Sequence, residues 1–529
     1  MCIRDSYTIA EDAKLTGSIA KKPVTITGVT VKDRAYERGN YNAVLEGTPK
    51  FADGDIVEGD KVYFIDGIPP TGTYASYKAA DDIDVTISYR FFGIDDANEN
   101  YVVKDECKHT KANILAVIHI NSNCGVEIAD KYVHRNANLT DDFSSTMPTR
   151  KGLKVEGWYR DAKCSDNSEK KWNFDTSIVD DSIITLNANW TTDDTSTDKV
   201  YYWISPASKR TVSNSNANAA NDDYVHENWH IEKSSFEIQE DIATMRTEAA
   251  NGTASNSDSV TSKYKEYMNE DEYHLYTRYI GGENEPGQKD DFTSVGSADG
   301  ETSEMNAYAE FRIIEVGEHL NVEGDSSSTD GSFLTFMGTH TLPTADQLNY
   351  SSKFTDGGWV KTTLRTKLQS GGEIFKKFDT GFTKDITPTT KYYNKGGGKS
   401  DYSVKYTACG TCSDQFWIPS FVELFGTSNC TNKEASPTEG TQYAWFNGKV
   451  GSVSGPNQSV YFQTRAGKYP GYAYYRSWRT RSPYTKGVKI NGEEIGAFIW
   501  FNVALYGIPS DSAAQFSDQP DGVVLCFGF

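Results

Sequence analysis

The sequence predicts a multidomain chain in which small all-β modules are followed by one large α+β domain. Three observations carry that expectation. The chain has 529 residues, enough for roughly three or four domains, each burying its own core. Its 32 Tyr, 25 Phe and 10 Trp against 6 Met favour strands over helices. The hydrophobic pattern then changes along the chain: alternation at period two governs the N-terminal part, and helical spacing sets in after Ser234.

Charge narrows the partners. With 53 Lys and Arg against 74 Asp and Glu, the formal charge is -21, whereas a surface that tracks phosphates needs a basic excess. No nucleic-acid partner is expected. No apolar run approaches the ~18 residues that a bilayer span requires, so no membrane insertion is expected within this sequence either. Met1 to Ser6 lacks the apolar stretch of a secretory signal. Residues 1–6 resemble translated adapter sequence and read as a non-native start, and residues 7–23 read as the tail of a truncated preceding module and its linker. Upstream repeats and a signal peptide are therefore expected before it, the alternative being that Met1 is a true start.

Residues 24–104 form the first complete unit. Val24 to Val29 and Asp84 to Tyr89 alternate as half-buried strands, and the turn clusters Ala52 to Asp55 and Ile68 to Gly72 lie between them, which suits a small β-sandwich. The order Val31-Lys32-Asp33-Arg34-x-Tyr36, Gly59-Asp60 and Asn100-Tyr101 resembles the YDG domain of bacterial adhesins, a stalk module. It departs at Tyr36-Glu37-Arg38-Gly39, where that family has Tyr-Asp-Gly.

Residues 112–191 form the second. A strand from Ile114 to Asn121 precedes Pro148, Gly152, Gly157-Trp158-Tyr159-Arg160-Asp161, Trp172-Asn173-Phe174-Asp175 and Leu186-x-Ala188-x-Trp190. Gly157 lets the backbone approach the neighbouring ring, and Trp158, Trp172, Phe174 and Trp190 can fill one small core. The stretch resembles the Listeria-Bacteroides repeat, the β-grasp-like internalin B-type spacer of bacterial surface proteins. That resemblance implies an extracellular or cell-wall-associated location. In such an oxidising exterior Cys124 with Cys164 is the expected disulfide, although connectivity is not readable from spacing.

A linker, residues 192–221, leads to the domain 222–529. Ser234-x-x-Glu237 has capping-box spacing and opens a helix with Ile238, Ile242 and Met245 on one face, ended by Gly252. A second helix starts at Ser259 with Val260, Tyr264 and Met268. Strands follow at His274 to Tyr279 and Ala307 to Ile314, and the polar segment 281–305 between them has almost nothing to bury, so it is expected to be a mobile insertion. Gly357-Gly358-Trp359 turns into a helix with Leu364 and Leu368 on one face. Phe416-Trp417-Ile418 suits a buried strand, Asn491-Gly492 a two-residue hairpin, and Ala497 to Leu505 and Val523 to Phe529 the closing strands.

Several of these stretches carry a resemblance. Leu334 to Ala345, Gly357-Gly358-Trp359, Phe416-Trp417-Ile418-Pro419-Ser420-x-x-Glu423, Trp478-x-x-Arg481-Ser482-Pro483 and Gly522-Val523-Val524-x-x-Phe527 are similar to an uncharacterised C-terminal domain of gut-bacterial and prophage surface proteins. The ending resembles the C-type-lectin and formylglycine-generating-enzyme fold. Trp359, Trp417, Glu423, Trp478 and Arg481 are then framework.

The chemistry-bearing candidates are few. Cys409-Gly410-Thr411-Cys412 reads as a disulfide, local or reaching Cys430, ahead of free thiols, half a zinc site or a redox pair. Formylglycine-generating enzymes use paired cysteines, but Cys409 and Cys412 lie well before Trp478 and do not reproduce that motif. His226 and His230 have the spacing of two zinc ligands on a helix, yet Glu227 is misplaced for such a motif, and a surface helix or loop is the better account. Gln519-Pro520-Asp521 resembles the galactose-preferring tripeptide of calcium-dependent lectins without the Trp-Asn-Asp that should follow. Lys395 to Lys399 lacks P-loop spacing. No catalytic residue, metal or cofactor is expected. The contact surface is expected at Tyr472, Tyr474, Tyr475, Arg476 and Arg479, because Tyr, Gly, Ser, Trp and Arg make adaptable paratopes. The expectation is an adhesin-like protein whose stalk modules present a C-terminal domain to a host or microbial surface glycan or protein. The alternatives are a formylglycine-generating-type oxidoreductase using Cys409 and Cys412, or a structural, prophage-encoded display protein.

Overall fold

A computed structural model describes residues 20–141, 143–164, 170–207, 230–270, 272–279, 308–339, 357–395, 409–426, 439–447 and 523–529, and shorter strand segments at 429–430, 433–434, 477–483, 488–490, 493–495, 497–502 and 514–516. For residues 308 and 409 and for those shorter segments, apart from 480–482, only the backbone is described. The protein is mostly β, 39% strand against 19% helix, in several sheets. Among the described residues no helix is long and apolar enough to cross a membrane. The chain divides into two compact units, residues 1–147 with 158–162 and 169–188, and residues 148–157 with 163–168 and 189–529.

The first unit is built from β1 (Lys22–Val24), β2 (Ile26–Lys32), β3 (Arg34–Ala35), β4 (Asn42–Phe51), β5 (Val62–Phe64), β6 (Thr71–Tyr74), β7 (Ala80–Ser88), β8 (Phe91–Gly93), β9 (Tyr101–Val103), the single-turn α1 (Asp105–Lys108), β10 (His109–Asn121) and β11 (Glu127–Val133). It also holds the end of β12 (Leu153–Tyr159) and the start of β13 (Ile183–Thr192). Its main sheet runs in the order β13, β10, β7, β6, β4, β2, with β3 and β11 also paired to β10. The strand expected over Val24 to Val29 is broken at Thr25, whose N–H is taken by the Asp55 carboxylate at 2.5 Å. So β1 pairs in parallel with β9, while β2 pairs with β4.

Strand β10 is the spine of this unit. Its first half, from His109, lies antiparallel to β7, and its second half, Val117 to Asn121, lies parallel to Ile183–Asn187 of β13 and antiparallel to β11. One strand thus serves pairings on both sides of residues 104–112. Trp158 stacks edge-on to Phe143 at 5.4 Å, and Phe143 meets Phe174 at 6.0 Å. The Trp172 N–H donates to the Trp158 carbonyl at 2.7 Å. Trp190 departs from the expected shared core, since it belongs to the second unit, where the Arg150 guanidinium lies 4.8 Å over its ring.

The second unit is organised on a six-stranded sheet. Its strands are β14 (Tyr202–Pro206), β15 (Lys233–Ser234), β16 (Tyr273–Arg278), β17 (Tyr308–Val316), β18 (Leu334–Gly338) and the C-terminal β28 (Cys526–Gly528), in the order β15, β14, β16, β17, β18, β28. Two helices follow β15. Helix α2 (Ser235–Asn251) starts at the expected capping box and ends at Gly252, whose φ of 70° is the left-handed turn that glycine adopts without strain. Helix α3 (Val260–Glu270) is held at its start by Glu248, which accepts from the N–H groups of Val260 and Thr261. Burial of Ile238, Ile242, Met245, Tyr264 and Met268 matches the helical spacing.

Shorter elements complete this unit: α4 (Thr363–Leu368), α5 (Thr380–Thr383), β19 (Thr389–Asn394), β20 (Cys409–Asp414), α6 (Phe421–Phe425), β21 (Asn429–Cys430), β22 (Lys433–Glu434), β23 (Ser477–Pro483), β24 (Val488–Ile490), β25 (Glu493–Ile495), β26 (Ala497–Asn502) and β27 (Ala514–Phe516). β19 pairs with β20, β24 with β25 across Asn491-Gly492, and β26 lies between β23 and β27. The core joins Phe311, Phe336, Phe382, Phe416, Phe527 and Phe529. Phe416 to Ile418 is buried as expected but is not a strand. It makes a single bridge, Trp417 to Cys526, because Pro419 has no N–H to continue a ladder and Ser420 already caps α6. His230 is buried rather than at the surface, and its carbonyl accepts from the Ser205 hydroxyl at 2.7 Å.

Candidate functional site

The second unit holds a fully buried group of ionisable residues around Glu423. Helix α6 begins at Ser420, whose hydroxyl accepts the Glu423 N–H at 3.0 Å while its own N–H donates to Glu423 Oε2 at 2.9 Å. This capping box turns the carboxylate inward. Gly440, with φ of 114°, passes so close that a Cβ there would sit 3.0 Å from Glu423 Cγ, so only glycine fits. Arg481, on β23, closes the site with a bidentate pair, Nη1 to Oε2 at 2.6 Å and Nη2 to Oε1 at 2.7 Å. Its other N–H groups donate to the carbonyls of Ile418, Tyr392 and Glu439. Both side chains are fully buried, and every donor of the guanidinium has an acceptor.

Lys391 points into the same space from β19. Its Nζ donates to Asp330 Oδ2 at 2.7 Å and to the Tyr443 hydroxyl at 2.9 Å, and lies 3.6 Å from Glu423 Oε1. The ammonium sits 4.2 Å over the Trp417 ring, whose Nε1–H reaches the Tyr443 hydroxyl at 3.3 Å. Asp330 Oδ1 accepts from the N–H of Ser332 at 2.9 Å and from its hydroxyl at 2.7 Å. Lys391, Asp330, Tyr443, Trp417 and Ser332 are all buried.

Electrostatics follow from that burial. Desolvation alone would raise the Glu423 carboxyl, but the Arg481 guanidinium and the Lys391 ammonium outweigh it and hold it at about 2. Glu439, equally buried, has weaker support. Its Oε1 accepts the Asn394 N–H at 2.8 Å, yet burial dominates and pushes its carboxyl up to about 7.

Trp359 anchors a neighbouring cluster. Its Nε1–H donates to Asp414 Oδ2 at 2.6 Å, and Arg365 Nε donates to Asp414 Oδ1 at 2.8 Å. Cys412 lies beside it, its thiol 3.4 Å from Asp414 Oδ2. Burial, reinforced by the Asp414 charge, pushes that thiol up to about 12, so it stays protonated and weakly nucleophilic at neutral pH.

The structure thus brings Trp359, Trp417, Glu423 and Arg481 into one buried core, and Trp158 and Trp172 into the core of the first unit. Trp478 and Arg479 lie on β23, paired through backbone with Phe501 and Trp500, and their side chains are outside the described residues. Tyr472, Tyr474, Tyr475 and Arg476 lie outside the described residues, as do Gln519 to Asp521, His226 and the segment 281–305. Cys124 is a free thiol, so the disulfide expected between Cys124 and Cys164 is not formed. Cys412 is also free, which removes it from the disulfide expected with Cys409 or Cys430; the thiols of those two lie outside the described residues. Lys391, Asp330 and Glu439 carry no mark in the sequence, because nothing local distinguishes an inward lysine or carboxylate from a solvated one. Among the described residues no group of three or more His, Cys, Asp and Glu is arranged to hold a metal ion. An open cleft beside α3 is lined by Lys233, Asp258, Ser259, Lys263, Tyr264 and Glu266, and its lysines are already engaged, Lys233 with Asp241 at 2.8 Å and Lys263 with Glu232 at 2.9 Å. Compared with known family models, curated proteins and solved structures, the chain has no match.

Proposed function

We propose that this protein is a cell-surface or secreted adhesin-like binding protein. In this reading its YDG-like and internalin B-type β modules are a stalk, and a C-type-lectin-like terminal domain presents the contact surface to a host or microbial surface glycan or protein. The observation that carries the reading is the anchoring of β23. Arg481, fully buried and bidentate on Glu423, fixes the strand that directly follows Tyr472, Tyr474, Tyr475 and Arg476. Upstream, the same stretch leaves a buried anchor at Trp445 and Phe446. A rigid frame with variable connections is how folds commonly carry recognition, and clustered Tyr and Arg supply large contact area at low entropic cost. Ser477, where that stretch enters β23, pairs with Asn502 at the end of β26, so the connection from β26 to β27 starts at the same end of the three-stranded sheet.

The oxidoreductase reading has less support. A Cys412 thiol held at about 12 is a poor nucleophile, and the carboxylate hydrogen-bonded to it, Asp414, raises it further. The test is to present the full chain to panels of host glycans, mucins and bacterial surface proteins. Saturable binding to a restricted set is expected; a chain that binds nothing specifically across all three panels is a display or structural protein instead.

A further inference from the structure

We propose that Lys391 and Asp330 condense into an intramolecular amide, a covalent cross-link between β19 and the turn before β18. The observation behind it is the placement of a buried amine, a buried carboxyl and a second buried carboxylate around one point. Lys391 Nζ is 2.7 Å from Asp330 Oδ2 and 3.6 Å from Glu423 Oε1, and all three side chains have no exposure to solvent. The backbones are held as well: the Thr390 N–H donates to the Asp330 carbonyl at 2.7 Å. Fixed reactants of this kind replace a bimolecular encounter by an intramolecular one, and exclusion of water protects the amide from hydrolysis.

Each step has a residue in place. A proton passes from Nζ to Oδ2 across their hydrogen bond, leaving a neutral amine beside a neutral acid. The nitrogen lone pair then forms the bond to Asp330 Cγ, and negative charge gathers on Oδ1. Two donors already point at that oxygen, the N–H and the hydroxyl of Ser332 at 2.9 and 2.7 Å, in the role of an oxyanion hole. A second proton leaves the nitrogen through Glu423 and returns to Oδ2. Glu423 becomes more basic at that moment, since the Lys391 ammonium is, after the Arg481 guanidinium, one of the charges that hold its carboxyl down. The Cγ–Oδ2 bond breaks, and Oδ2 departs with two of the three ammonium hydrogens as water. The third stays on the amide nitrogen, so the step balances without oxidant, reductant or co-reactant. Burial favours the product, because a fully desolvated ion pair is costly and the amide is neutral.

The cross-link spans 61 residues and would hold the frame of the second unit closed against force and proteases. It is tested on the unmodified full chain by intact mass under denaturing conditions and by tryptic mapping. The expected mass is that of the sequence less one water, with trypsin unable to cut after Lys391 and with a branched peptide whose fragments place the bond between Lys391 and Asp330. In Asp330→Ala the missing water and the branched peptide are expected to be absent. Wild-type protein of full mass, with Lys391 and Asp330 recovered on separate peptides, would overturn the proposal, as would a link through any other pair.

Discussion

At the scale of single residues, the second unit depends on charges that never meet water. Trp359, Trp417, Glu423 and Arg481 were legible as framework from their motifs, and they converge in one core. Glu439 was not legible, since only the fold brings Asn394, Ser420 and Arg481 onto it from distant parts of the sequence. Its effect on stability has a definite sign. Burial raises its carboxyl from 4.5 to about 7, so its contribution is fully present below about pH 4.5 and is lost as pH rises through 7. The loss should reach on the order of 3 kcal/mol. Urea unfolding at about pH 5 and about pH 8 measures it, and Glu439→Gln should flatten the difference. Glu423 is shifted the opposite way, held below its ordinary value against burial by its Arg481 pair, so its contribution is lost on the acid side and not as pH rises. A second expectation concerns Cys412. A thiol at about 12 has a thiolate fraction of roughly one in 10⁵ at neutral pH, so peptide-resolved alkylation should spare it in the native protein and label it after denaturation.

Whole elements were the most legible part of the chain, wherever local chemistry decides them. The capping box at Ser234 and Glu237 with a glycine end gave α2, and the hairpin at Asn491-Gly492 joins β24 to β25. Elements decided by distant groups were not legible: Asp55 splits β1 from β2, and Lys391 meets Asp330 across 61 residues. Helix α2 offers a graded test, because Glu237 has a second task beyond its cap. It accepts Arg150 Nε at 2.8 Å and Nη2 at 2.7 Å, and Arg150 is buried under Trp190. Ser234→Ala should cost about 1 kcal/mol for the lost cap, and Glu237→Ala about 2 kcal/mol more, for leaving the guanidinium without its carboxylate. Equal losses in denaturant unfolding would mean that Arg150 finds another partner.

On the scale of the whole molecule, composition was enough to foresee a mostly β chain, because aromatic and alternating segments leave few other ways to bury their rings. The segments expected at 24–104 and 112–191 share β10, which pairs with β7 on one half and with β13 and β11 on the other. Separate unfolding of the two would expose an unpaired edge in each, so they should melt in one transition, and limited proteolysis should not cut between residues 104 and 112. For function, the account rests on Tyr474 and Tyr475 standing just ahead of the strand that Arg481 pins to Glu423. The most direct measurement is saturable binding of the full chain to its best ligand from the glycan, mucin and surface-protein panels, repeated with Tyr474→Ala and Tyr475→Ala together. The account predicts at least about a tenfold loss of affinity, as for removal of aromatic hot spots, with the thermal unfolding midpoint unchanged. Undiminished binding by the folded double variant would contradict it.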